Sequence, residues 1–383
     1  MQVPRTLLVT NDFPPRVGGI QRTLEALVRQ FPPDRVAVLC PEWEGAGAFD
    51  AEASYRVFRQ PERWLWPTRE VGERIQAAVR EFGAEAVLFG ATYPLALLGP
   101  ALARSGTPYV AAAHGFEYWL SIAPGTHALV RRATGRAERV AVMCSAFIAR
   151  VVRTAVPDGV PVSVLYPGAD TEAFRPDLPF DDLKDRHGFG GRPLVVCVSR
   201  LVPRKGQDVL IRAMARIRRL VPDAGLLIVG DGPDRGRLEH LAVEAPAGSV
   251  GFAGQVSEGD LPRYYRAGDV FAMPCRTRRA GLEVEGWGNV FIEAAACGRP
   301  VVVGDSGGAR EALDPDVTGL LVDGASVEEV ADAVAALLAD PGRAEAMGRA
   351  GRERVERSFT WPRAADQLAG WLTEAVVRGR ARP

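Results

Sequence analysis

Lysine is nearly missing from this 383-residue chain: Lys184 and Lys205 are the only two, and the rest of its 47 basic residues are arginines. Chemistry that depends on a lysine, such as a Schiff base with pyridoxal phosphate, therefore has two candidate positions. A charge surplus is also absent. The 47 basic residues meet 47 acidic ones, and positions 1–180 alone hold 19 against 18. A general nucleic-acid binder carries a basic excess, so that class is excluded, as is a polybasic anchor in one half. The five cysteines, Cys40, Cys144, Cys197, Cys275 and Cys297, make no C-x-x-C pair and have no histidine cluster beside them. That excludes a zinc module and a disulfide framework and suits buried free thiols in a reducing cytosol. The G-x-G-x-x-G fingerprint is missing, which counts against a dinucleotide dehydrogenase.

Long apolar runs are scarce too. The residues before Asn11-Asp12 hold an apolar run too short for the core of a signal peptide. The stretch 86–103 is uncharged and reaches the ~18 residues of a membrane span. Gly90, Pro94, Gly99 and Pro100 divide it, so a buried strand, a turn and a short apolar helix are expected instead. The expected location is the cytoplasm.

What is present is ordinary globular composition, 47% hydrophobic and 25% charged. At about 150 residues per domain the length suggests two domains. Val-, Leu- and Ile-rich runs at 6–10, 35–39, 86–89, 109–113 and 140–143 alternate with helical patterns. The alternation restarts at 194–199, 225–229, 250–253, 270–273, 301–303 and 320–322. Continuous apolar runs of this kind are strands buried on both faces of parallel sheets. The fold class is therefore α/β, with two Rossmann-like doubly wound sheets in series. Prolines, glycines and acids at 166–192 break the periodicity and mark the seam. The expected division is 1–180, 181–360, and a last helix at 361–383 that crosses back to the first domain.

Candidate chemistry lies at the ends of the predicted strands. After the first strand, Asn11 to Gln21 (NDFPPRVGGIQ) places Gly18 and Gly19 at a helix start, where backbone amides can approach an anion; a plain tight turn explains them as well. Arg200 and Lys205, in SRLVPRKG, fall at the carboxyl edge of the second sheet, where ligands of open α/β folds bind. A guanidinium fork beside an ammonium suits a diphosphate, and a pair of surface cations is the alternative. Gly230, in GDGP, either walls a nucleotide pocket or reverses the chain. Glu285 and Glu293 are separated by seven residues, the first in a glycine-bounded loop and the second about one turn inside a helix. The amides of Asn289, Val290 and Phe291 start that helix and favour an anion. Carboxylates beside such a start make sense if they accept hydrogen bonds from sugar hydroxyls, which points to a nucleotide sugar. His114 follows a strand and is read either as a satisfied structural group or as a cleft-facing one.

The ordered set NDFPPRVGGIQ, AAAHGFE, SRLVPRKG, GDGP, E-x7-E and ACGRPVVVGDSGGARE resembles glycosyltransferase family 4 over roughly residues 5–360. Within it, NDFPP-x-x-GGIQ and PCRTR-x-x-GLEVEG are similar to phosphatidylinositol mannosyltransferases that use GDP-mannose. The resemblance implies a retaining transferase of the GT-B type, two domains facing across a cleft, that moves mannose from GDP-mannose to a lipid-linked or glycan hydroxyl. It implies no cofactor and no metal, since Arg200 and Lys205 would neutralise the leaving diphosphate. It further implies that Gly18 and Gly19 close over the phosphates and that Glu293 holds the ribose. Glu285 would hold a sugar hydroxyl, the amides of residues 289–291 the distal phosphate, and His114 would face the transferred sugar. Asp12 and Gln21 would lie nearer the acceptor. A UDP-sugar donor or a sugar-nucleotide 2-epimerase is the alternative. Arg131, Arg132, Arg136 and Arg139, and separately Arg56, Arg59, Arg63, Arg69 and Arg74 around Trp64 and Trp66, are read first as solvated faces. Contact with the inner face of a membrane, as a peripheral protein, is their second reading.

Overall fold

A computed structural model describes residues 3–123 and 125–381. The apolar runs form two sheets in it. In the first, β1 (Thr6–Val9), β2 (Val36–Pro41), β3 (Arg56–Gln60), β4 (Ala86–Phe89), β5 (Tyr109–Ala113), β6 (Arg139–Val142) and β7 (Val162–Val164) are ordered β3-β2-β1-β4-β5-β6-β7. In the second, β8 (Leu194–Val198), β9 (Gly225–Val229), β10 (Val250–Gly254), β11 (Val270–Met273), β12 (Val301–Gly304) and β13 (Gly319–Val322) are ordered β10-β9-β8-β11-β12-β13. These strands pair in parallel throughout. Interior strands such as β1, β4, β5, β8, β9 and β11 are buried along their whole length, which is what lets an unbroken apolar run be a strand.

The sequence reading did not anticipate β3 and β7. Both are edge strands and half-buried, and the Arg-Val-Phe-Arg-Gln of β3 has charged residues where an interior strand carries apolar ones. The uncharged stretch 86–103 is β4, a turn, a short 3-10 turn at Leu95–Leu98 and the start of helix Gly99–Arg104. Among the described residues no helix is long and apolar enough to cross a membrane.

The chain divides into two compact units, Met1–Pro167 with Trp361–Pro383, and Gly168–Thr360. Residues 168–180, expected with the first domain, thus fall in the second unit. Ala169 donates its amide to Phe359 O at 2.9 Å, and Arg352 bonds the carbonyls of Thr171 and Phe174. Residues 1, 2, 124, 382 and 383 of the expected segments lie outside the described residues. Helix Trp361–Ala381 belongs to the first unit, where Leu368 and Leu372 are fully buried in one core with Leu8, Leu24 and Val110. In each sheet the strand order reverses direction once, between β1 and β4 and between β8 and β11. Loops leaving the carboxyl ends of such a pair diverge and leave a crevice, which is where open α/β sheets bind ligands.

Candidate active site

In the second unit, the loops after β8 and β11 flank the switch point and carry most of the candidate residues. The β8 loop turns sharply at Gly206, which has φ 79°. A Cβ there would lie 2.0 Å from the Pro274 carbonyl oxygen, so only glycine lets the two loops touch. Arg276 N donates to Arg204 O at 2.9 Å and stitches the loops again. The result is a buried ion cluster: Glu285 Oε2 lies 2.6 Å from Arg204 Nη1 and 2.7 Å from Lys205 Nζ. Burial alone would raise the Glu285 carboxyl, but Lys205 and Arg204 outweigh it and hold its pKa below the usual value. Ser306 Oγ accepts from Glu285 N at 3.2 Å, and Gly308 N donates to Glu285 O at 2.9 Å, so the loop after β12 fixes its backbone. Arg200 stands exposed at the end of β8, with no ion pair among the described residues. Two cations against one carboxylate leave the Glu285 cluster itself positive, which suits a diphosphate.

Arg204 is the residue that sequence reasoning passed over. It sits inside the quoted VPRKG motif, but nothing in its spacing says that it, with Lys205, would meet Glu285. Asp208 was missed as well. It is buried at the start of helix Gln207–Leu220, 2.9 Å from Arg276 and within 3.6 Å of Arg212 and Arg237. Burial opposes its charge, but these arginines hold its pKa below the usual carboxylate range. Helix Asn289–Ala296 starts at Gly288 without a side-chain cap. The amides of Asn289 and Val290 have no partner among the described residues, whereas Phe291 N donates to Gly288 O at 3.0 Å and the Phe291 ring is buried against Phe271. Glu293, inside this helix, accepts from Tyr265 Oη at 2.6 Å, a partner no motif announced. Gly230 is explained without a ligand: its φ is 123°, its amide donates to Gly254 O at 2.7 Å, and a Cβ would lie 2.2 Å from Ser199 O. Its contribution is to bring the GDGP turn against the β8 loop.

In the first unit, Gly18 caps helix Gly19–Val28; a Cβ on Gly19 would meet nothing within 4 Å, whereas one on Gly18 would lie 2.2 Å from Gln21 Oε1, so the Gln21 side chain lies against the cap. Asp12 Oδ1 accepts from Gln21 Nε2 at 2.7 Å and from Arg16 Nη1 at 3.1 Å. Burial pushes the Asp12 carboxyl up, against the opposing charges of Arg16 and His114. His114 is buried, and its Nε2 lies 2.8 Å from Gly90 O. Glu117, a residue of the AAAHGFE motif given no role above, fixes this corner: one carboxylate oxygen accepts from His114 N at 2.8 Å and the other from Thr92 N at 3.0 Å. Asp12, Gln21 and His114 are thus brought together around the β1–β4 switch point. A small recess there is lined by Thr10, Asn11, Asp12, Trp64 and Tyr93.

Two parallel-sheet α/β units, each with polar residues gathered at a switch point and one carrying a cationic cluster, define a GT-B type fold. The model of the glycosyl transferases group 1 matches residues 179–354, and that of glycosyltransferase family 4 matches residues 17–173. A Mycobacterium tuberculosis protein named GDP-mannose-dependent alpha-(1-6)-phosphatidylinositol monomannoside mannosyltransferase is 46% identical over 377 residues, 96% of this chain and 98% of that protein. A Corynebacterium glutamicum protein, named as the corresponding enzyme for the monoacylated lipid, is 39% identical over 96% of this chain and 97% of its own length. Among solved structures, Anabaena HepE in complex with UDP and glucose is similar with a TM-score of 0.79 at 21% identity, covering 97% of this chain and 99% of that one. The chain belongs to the family 4, group 1 glycosyltransferases.

Proposed function

We propose that this glycosyltransferase moves mannose from GDP-mannose to a hydroxyl of a phosphatidylinositol mannoside, with retention at the anomeric carbon. The observation that carries the reading is the pair of cations Arg204 and Lys205 on Glu285, with Arg200 exposed on the same loop, in a chain 46% identical to an enzyme of that name. Lys205 and Arg200 stabilise the diphosphate as the glycosidic bond to it breaks. The amides of Asn289 and Val290 take its distal oxygens, and the helix start at Gly18 and Gly19, uncrowded at Gly19, offers a further phosphate contact. Glu285 accepts from a hydroxyl of the sugar, and Glu293, oriented by Tyr265, accepts from the ribose. Phe291 packs beneath the helix start, and Gly230 shapes the wall of the nucleotide pocket. Asp12, Gln21 and His114 position the acceptor and the face of the transferred sugar. No general base is assigned: the departing diphosphate takes the acceptor proton while the acceptor oxygen bonds to carbon. With fixed cations in this role the reaction needs no divalent metal. The enzyme works in the cytoplasm, at the inner face of the membrane that holds its acceptor.

The test is transfer from labelled GDP- and UDP-sugars to phosphatidylinositol mannoside by the purified protein, with and without a chelator. Mannose transfer from GDP-mannose that survives chelation is expected, and Lys205→Ala should reduce kcat/KM by roughly 100- to 1000-fold. The absence of both transfer and slow donor hydrolysis with every sugar would overturn the reading. Conversion of the donor without any acceptor would instead identify an epimerase.

A further inference from the structure

At the switch point of the first unit, a buried amide holds a half-open indole in place. Asn11, just past β1, reaches the loop between β3 and helix Arg69–Phe82 and takes both backbone polar groups of Leu65. Its Nδ2 donates to Leu65 O at 3.0 Å, and its Oδ1 accepts from Leu65 N at 2.7 Å. Both ends of the amide are thereby satisfied, and the loop is pinned to the end of β1. Leu65 is fully buried, whereas Trp64 beside it is 36% exposed. Arg16 lies 5.9 Å from the Trp64 ring centroid and the Trp66 ring 6.4 Å, so the indole is braced and still open.

Single exposed apolar side chains are ordinary on protein surfaces. That account leaves two observations over. Trp64 lines the recess with Asn11, Asp12 and Tyr93, and Asp12 takes both Gln21 and Arg16 on Oδ1, so that its Oδ2 has no hydrogen bond among the described residues. The recess has a volume of about 10 Å3, room for one water-sized group. A hydroxyl fits it and a sugar ring does not, so a ring that offers the hydroxyl lies outside, against the indole. The C–H face of a pyranose is weakly positive and suits the negative π face of tryptophan. Nor is this loop a cationic surface: Arg56 pairs with Glu81, Arg59 with Asp50, Arg69 with Glu73 and Arg74 with Glu62.

We propose that Trp64 is a specificity residue for the acceptor: the mannose that the lipid already carries lies on its indole and offers one hydroxyl to Asp12 in the recess, while Asn11 positions the platform. A neutral mannose tolerates the carboxylate; the inositol, which bears the phosphodiester, is the poorer occupant. The inference rests on the lipid-mannoside reading above and adds that the chain selects a mannosylated lipid over a bare one.

Titration of the full chain with a water-soluble, deacylated acceptor, glycerophosphoinositol mannoside, tests it, with GDP present throughout. Calorimetry reads the affinity and tryptophan fluorescence reads the contact. The wild type should bind with a saturable fluorescence change and should bind glycerophosphoinositol roughly tenfold more weakly. Trp64→Ala should weaken mannoside binding roughly tenfold and erase that preference, whereas Trp64→Phe, which keeps an aromatic face, should stay within about threefold but lose the fluorescence change. Trp66→Ala, which changes the neighbouring indole outside the recess, should bind like the wild type. No binding of the mannoside by the wild type, equal losses in Trp64→Ala and Trp66→Ala, or a Trp64→Ala defect seen only with acylated acceptor in vesicles would each overturn the proposal, the last by making the indole a membrane contact. Mannoside binding as described without transfer from any sugar donor would sink the transferase reading and leave this one. Normal transfer with an undiminished mannoside preference in Trp64→Ala would do the reverse.

Discussion

At the scale of single residues, Glu285 is the hinge of the candidate site. Its carboxylate is surrounded by protein and bound to two cations through one oxygen, so it is stable only while both stay. Removing its charge leaves the buried Lys205 without its counter-ion, Arg204 being partly open to solvent, and breaking a buried pair in this way costs about 3 kcal/mol. Glu285→Gln should therefore lower the urea midpoint of the second unit by that equivalent, in addition to impairing transfer. An unchanged midpoint would mean that the cations are satisfied by water and that the cluster is not tight. Tyr265 allows a gentler probe. Tyr265→Phe removes only the hydroxyl that holds Glu293; under the proposed role of Glu293 in holding the ribose, the KM for donor should rise several-fold with kcat little altered, because such a contact is made equally before and during the reaction.

At the scale of elements, two loops and a helix start are pinned together by acids in a basic neighbourhood. Asp208 and Glu285 both have pKa values depressed below their ordinary 3.8 and 4.5, despite burial that works the other way. A depressed folded-state pKa contributes stability that is present above the ordinary value and lost as pH falls through the depressed one. Denaturant unfolding of the second unit should accordingly be nearly flat from neutral pH down to the mid-fours, then weaken steeply on further acidification. Asp208→Asn should start less stable and show a shallower acid limb. An acid limb as steep as that of the wild type would assign the loss to other carboxylates. The same elements explain why Gly206 is glycine: the β8 loop and the Pro274 carbonyl meet at a distance that admits no Cβ.

At the scale of the whole molecule, the first unit is completed by the last helix of the chain. Leu368, Leu372 and Ala375 of helix Trp361–Ala381 are buried among residues of β1, β5 and helix Gly19–Val28, so this core cannot close until that helix is in place. Leu372→Ala should cost 2–5 kcal/mol, the usual range for a large-to-small change in a packed core. The loss should fall on the first unit alone, seen by limited proteolysis as early cleavage within residues 1–167 while residues 168–360 stay protected. Simultaneous cleavage of both units would show that they unfold as one.

Periodic apolar runs, glycine turns and a handful of motifs were enough to read two parallel sheets and the family, and to single out Arg200, Lys205, Glu285 and Glu293 as candidates, because each of those features is local in sequence. The edge strands β3 and β7 escaped because half-buried strands carry no unbroken apolar run. Only tertiary structure decided that Arg204 meets Glu285 across 81 positions, that Tyr265 orients Glu293, and which arginines are already neutralised by acids. Those pairings depend on the strand order at a switch point, which brings together loops far apart in the chain, and no spacing rule within either segment encodes that meeting.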